Sequence, residues 1–162
     1  MEIHIRQVRP EDLEQCLRVE QESFPPEEAA PKESIALRIK HFPQGFLVAE
    51  RDGEVVGMIN SGATDQDDIA DEAFKALEGH DPDGKYLAVF SLSVLPAHRG
   101  EGLGRMLLTT FQDLAAGQKR EGVLLLCKEH LAGFYESCGF ELRGPSACSH
   151  GGAAWLEMGW LV

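Results

Sequence analysis

Residues 87–112 read LAVFSLSVLPAHRGEGLGRMLLTTFQ. Positions 87–95 are apolar or small and stop at Pro96, the composition of a strand buried on both faces. A glycine-rich turn follows, Arg99-Gly100-Glu101-Gly102-Leu103-Gly104, and Met106, Leu107, Leu108, Phe111 and Leu114 continue at helical spacing. A strand therefore runs into a tight turn that opens a helix.

The first N–H groups of a helix lack acceptors within it and point out of its N-terminus, where the dipole is positive. Glycines place no Cβ between those donors and a ligand. The turn is thus suited to a phosphate or pyrophosphate, with Arg99 and Arg105 adding positive charge. Two other phosphate loops are excluded by spacing. No Gly-Lys-Ser/Thr closes the turn, and a dinucleotide fingerprint begun at Gly100 would need glycine where Arg105 stands.

Working outward, Ile3, Ile5 and Val8 predict a first strand, and Pro10-Glu11-Asp12 suits the first turn of a helix that ends at Ser23-Phe24-Pro25. A second helix is expected over 31–41, with Ile35, Leu37 and Ile39 partly facing the core. Two β-rich runs, 46–50 and 54–60, flank Asp52-Gly53, a strong hairpin signal. Residues 61–85 form an acidic, partly helical excursion. Strand 123–127, a short helix holding Leu131, Phe134 and Tyr135 with a glycine stop at Gly139, and strands over 140–143 and 153–160 complete the chain. This alternation predicts a single α/β or α+β domain over 1–162.

A net charge of −12 argues against nucleic-acid or anionic-membrane partners. The four cysteines, at 16, 127, 138 and 148, have neither metal-site spacing nor the density of a disulfide scaffold, so free thiols are expected. The acidic stretch 65–83 lacks the spacing of a calcium loop, and no metal is expected. No apolar leader or span is present, which points to the cytoplasm. Oligomeric state has no signature in the sequence.

Arg/Gln-x-x-Gly-x-Gly after a buried strand, here residues 99–104, resembles the GNAT superfamily of acetyl-CoA-dependent N-acetyltransferases. Phe134-Tyr135-Glu136-Ser137-Cys138-Gly139-Phe140 extends the resemblance, since an aromatic-Tyr pair followed by Gly-Phe is common at this place in the superfamily. Residues 126–131, the Ser23-Phe24-Pro25 loop, residues 144–148 and Leu156-Glu157-Met158 are similar to the arylalkylamine N-acetyltransferases, over about residues 3–160. The resemblance implies a mixed, mostly antiparallel sheet flanked by helices. Its central strands, 87–95 and 123–127, would splay apart to admit the pantetheine arm.

The resemblance also implies attack by a neutral primary amine on the thioester of acetyl-CoA. The pyrophosphate falls to the backbone of Arg99, Gly100, Glu101, Gly102, Leu103 and Gly104, and the pantetheine arm to the main chain of Leu92, Ser93 and Val94, with Phe134 alongside. A main-chain N–H at or next to Leu92 would polarise the carbonyl. Tyr135 is the expected general acid, because a phenol with a pKa near 10 is protonated at neutral pH and can donate to a thiolate. Phe24, Pro25, Asn60 and Phe90 are expected to line the acceptor cleft.

One departure stands out. Vertebrate serotonin enzymes carry two histidines on the strand before the loop, where this chain has Ala88 and Phe90. That base does not carry over, and Glu22, His80 and His150 are alternatives among which the sequence does not choose. His98 fits a structural or cofactor role. The acceptor also stays open between an arylalkylamine, favoured by Phe90, and a polyamine, favoured by the acidic stretch. A protein N-terminus, a lysine, an antibiotic amine, or a module that binds acetyl-CoA without turnover are further readings.

Overall fold

The computed structural model describes residues 2–66, 77, 79–146, 152 and 154–162. Residues 67–76 and 78 of the acidic excursion, together with Cys148 and His150, lie outside the described residues. Seven strands form one sheet: β1 (His4–Gln7), β2 (Phe46–Arg51), β3 (Glu54–Thr64), β4 (Tyr86–Val94), β5 (Gly122–Cys127), β6 (Glu141–Pro145) and β7 (Leu156–Leu161). Their order is β1-β2-β3-β4-β5-β7-β6, antiparallel throughout except for the parallel β4–β5 pair. Among the described residues four helices flank it: α1 (Leu13–Ser23), α2 (Lys32–His41), α3 (Leu103–Gly117) and α4 (Ala132–Ser137). The mixed sheet expected from the sequence is present.

Local chemistry explains the joints. Asp52 and Gly53 take φ of 53° and 79°, the two left-handed residues of a hairpin turn whose twist matches its strands. β3 runs on to Thr64 rather than stopping at residue 60, because Ser61, Gly62, Ala63 and Thr64 pair with Val89, Ala88, Leu87 and Tyr86. Small side chains concealed that extension from a reading of apolar runs.

α2 corrects one expectation. Ile35 and Ile39 are buried as expected, but the third buried residue is Arg38, and Leu37 is 37% exposed. Positions 35, 37 and 39 alternate as on a strand, whereas at 100° per residue 35, 38 and 39 share a helix face. In α3, Leu107, Leu108 and Phe111 are fully buried, while Met106 is 41% exposed.

His80 is half-buried against Phe42, ring centroids 4.5 Å apart, and its Nδ1 accepts the Ala63 N–H at 3.0 Å. Its Nε2 is buried with no partner among the described residues. Burial holds its pKa below the ordinary histidine value. A depressed folded pKa means stability that is present above about pH 6.5, the unfolded value, and is lost as pH falls through the folded one. Thermal unfolding should therefore show the wild type losing stability below about pH 6.5, and a His80→Gln variant losing less. Parallel curves for the two proteins would assign the acid sensitivity elsewhere.

Candidate active site

The sheet opens between β4 and β5. Only Tyr86, Leu87, Ala88 and Val89 pair with β5, opposite Gly122, Val123, Leu124 and Leu125. On the other edge of β4, Ser61 faces Val89 and Asn60 faces Ser91, so Phe90 is an extra residue, a β-bulge. The bulge breaks the two-residue alternation of the strand. Phe90 lies under the Arg38 guanidinium of α2, 4.4 Å from its ring centroid, while the next residue, Ser91, bonds Glu20 of α1. Consecutive side chains thus reach the same helical layer, and the segment 90–94 is left without a partner on the β5 side. This is the splay the sequence reading expected.

The glycine turn sits at the end of that segment. Gly100 and Gly102 have φ of 83° and 82°, and space around both is open enough that a Cβ would touch nothing within 4 Å. Backbone conformation, not crowding, therefore requires glycine there. Gly102 caps α3 without a side-chain bond, and the first turn contains no acid, so the initial N–H groups face outward unengaged by a cap. The cradle suits a pyrophosphate.

Two arginines shape the turn. Arg99 donates from Nε to the Val94 carbonyl at 3.0 Å, tying the loop to β4. Arg51, at the end of β2, contacts His98 Nδ1 and Glu101 Oε2 through Nη1, each at 2.9 Å. A carboxylate in a phosphate loop would repel its ligand. The Arg51 hydrogen bond offsets that charge and keeps the Glu101 carboxyl below the usual carboxylate range. Arg51→Ala should weaken binding of acetyl-CoA, the ligand the resemblance implies for this turn, about fivefold, the scale of one lost hydrogen bond. Equal affinity by titration calorimetry would remove Arg51 from loop positioning.

α4 lies beside the start of α3. Phe134 approaches within 3.9 Å of where a Cβ on Gly104 would stand, and Arg105 donates to Ser137 Oγ at 2.7 Å with its guanidinium 5.6 Å from the Phe134 ring. Tyr135 is 7% exposed, edge-on to Phe134 and Phe140 at 5.1 and 5.8 Å. Burial raises its pKa well above the ordinary phenol value, with Cys127 and Cys138 contributing in the same direction. It is therefore a protonated donor across the physiological range.

The acceptor-side residues divide. Phe24 is half-buried and Pro25 exposed at the end of α1, and Phe90 is half-buried on the bulge. Asn60 instead is fully buried, its Oδ1 accepting from Arg38 Nη1 at 3.0 Å. Leu92 is half-buried, while Ser93 and Val94 are buried at the opened edge.

Several polar groups here were missed in the sequence. Glu20, 3% exposed, accepts from the Ala30 N–H and from Ser91 Oγ at 2.8 and 2.7 Å. Lys128, just beyond β5, pairs with Glu28 at 2.7 Å and lies 5.7 Å from the Trp155 ring, joining the 24–31 loop to the β5 end. The available signal was a charge on an apolar stripe. Glu20 follows Leu13, Cys16 and Leu17, and Arg38 sits between Ile35 and Ile39. Among the described residues no cluster of His, Cys, Asp or Glu forms a metal-holding group, and no helix is long and apolar enough to cross a membrane.

The model of the acetyltransferase (GNAT) family matches residues 11–140, and the chain belongs to that family. The uncharacterized N-acetyltransferase YkwB of Bacillus subtilis is 28% identical over 131 residues, which cover 74% of this chain and 58% of that protein. Serotonin N-acetyltransferase of Mesocricetus auratus is 28% identical over 125 residues, covering 74% and 59%. The chain thus spans about three fifths of the length of these two relatives. The GphF GNAT-like decarboxylase in complex with isobutyryl-CoA superposes with a TM-score of 0.85 at 21% identity, covering 98% of both chains, and shares the fold.

Proposed function

We propose that this chain transfers the acetyl group of acetyl-CoA to the primary amine of a small molecule, an arylalkylamine or a polyamine, by direct attack. The observation that carries the reading is the parting of β4 from β5 after Val89, beside the glycine turn and the buried, protonated Tyr135. Acetyl-CoA supplies an acyl thioester. The backbone from Arg99 to Gly104 holds its pyrophosphate, and the unpartnered edge at Leu92, Ser93 and Val94 takes the amide-bearing arm. An edge N–H at or next to Leu92 donates to the carbonyl oxygen, and Tyr135 gives its proton to the departing sulfur. Phe24, Pro25 and Phe90 bound the acceptor, with Asn60 acting through Arg38.

The family supports acetyl transfer, and the weak similarity to serotonin N-acetyltransferase supports a small-amine acceptor. GphF, named a decarboxylase, marks the need for a test that requires the amine. Incubation with acetyl-CoA and a panel of tryptamine-like and spermidine-like amines, read by mass spectrometry of the amine, should show a gain of one acetyl group. Acetylation only of peptide N-termini, lysines or aminoglycoside-like amines would move the acceptor to another class. Binding of acetyl-CoA with no acetylated amine would leave a module without turnover.

A further inference from the structure

We infer that Ser91 and Glu20 form the route by which the acceptor ammonium loses its proton; this rests on the amine acetyltransfer proposed above. The serotonin-type histidine pair is absent, since Ala88 and Phe90 occupy those places. Ser91 Oγ donates its only proton to Glu20 Oε1 at 2.7 Å. A serine so committed presents its lone pairs, and only those, to any other partner. Ser91 stands directly after the bulge, on the segment that has left β5, so those lone pairs belong to the strand that forms the cleft wall. Ser93 Oγ lies 3.5 Å away on the same face and extends the polar line along the strand.

The transfer balances. The ammonium N–H gives its proton to Ser91 Oγ while the Ser91 proton passes to Glu20, leaving a neutral amine and a neutral carboxyl. The amine nitrogen then bonds the acyl carbon as the carbon–sulfur bond breaks, and Tyr135 protonates the sulfur. The second nitrogen proton, shed as the amide forms, restores Tyr135, and Glu20 returns its proton to solvent when product leaves.

The groups around Glu20 fit that task. From α1, the Cys16 thiol is pushed up to about 12 by burial and stays neutral. From α2, the Arg38 guanidinium interacts electrostatically with Glu20, which pulls its pKa up against the effect of burial. From β4 the facing groups are the Ser91 and Ser93 hydroxyls. The other Glu20 oxygen takes the Ala30 N–H, which fixes the carboxylate and the 24–31 loop together.

The test is Ser91→Ala, which leaves the Glu20–Ala30 bond in place, with Ser91→Thr as the conservative variant and Glu20→Gln as the second lesion. At neutral pH Ser91→Ala should lower kcat/KM for the amine about 10²-fold, Ser91→Thr should retain most activity, and KM for acetyl-CoA should not move. The deficit should close toward about pH 11, where an alkylamine is already largely neutral. A deficit of constant size across pH, or none at neutral pH, would overturn the relay while leaving the acetyltransferase intact. No amine acetylation by the wild type would overturn the underlying reading as well.

Discussion

Tyr135→Phe should lower kcat about 10²-fold or more, the usual contribution of a positioned general acid, while KM for acetyl-CoA changes little. The ring is held edge-on by Phe134 and Phe140, and phenylalanine keeps both contacts and the volume. The substitution removes only the hydroxyl. No described residue takes that hydroxyl as a hydrogen-bond partner, so its loss leaves no buried group orphaned and the fold should keep its stability. Turnover assays with circular dichroism as the control separate these effects. Undiminished turnover would remove Tyr135 from the chemistry and assign it to packing alone.

Arg38→Met should destabilise the fold by about 3 kcal/mol, the scale of breaking a buried charged pair from one side. Arg38 is 2% exposed, and burial pushes its guanidinium down to about 10, with Glu20 pulling the other way, so it is charged at neutral pH. Methionine fills much of the volume. What is lost is the donor to Asn60 Oδ1, the cation over Phe90 and the countercharge of Glu20. For a chain of this length the unfolding midpoint should fall by about 10 °C. Adding Glu20→Gln should recover part of that loss, because the stranded charge disappears, and the double-mutant cycle measures the coupling. Strict additivity would mean that the two charges act independently.

The elements that position the site were legible because each carries a strong local signal. Asp52-Gly53 announced its hairpin, the apolar run before Pro96 announced β4, and the glycines after Arg99 announced the turn into α3. The end of β3 was hidden because Ser61 and Gly62 read as loop while their pairing with β4 is long-range. The bulge at Phe90 was illegible for the same reason, since it exists only relative to Asn60 and Ser61 on the neighbouring strand. Arg51, Glu20 and Lys128 meet partners 50, 71 and 100 residues away, distances over which a single sequence gives no register. Leu37 was placed on the buried face by counting alternate residues in a helix, where Arg38 takes that position.

The central claim is acetyl transfer to an amine in the opened sheet. Its most direct test is release of the CoA thiol from acetyl-CoA by the purified wild-type chain, with and without a tryptamine-like or spermidine-like amine. The assay should be run near neutral pH and again about two units higher. Amine-dependent release that grows as pH rises is the predicted result. Release that is the same with and without amine, or absent despite measurable acetyl-CoA binding, would contradict it.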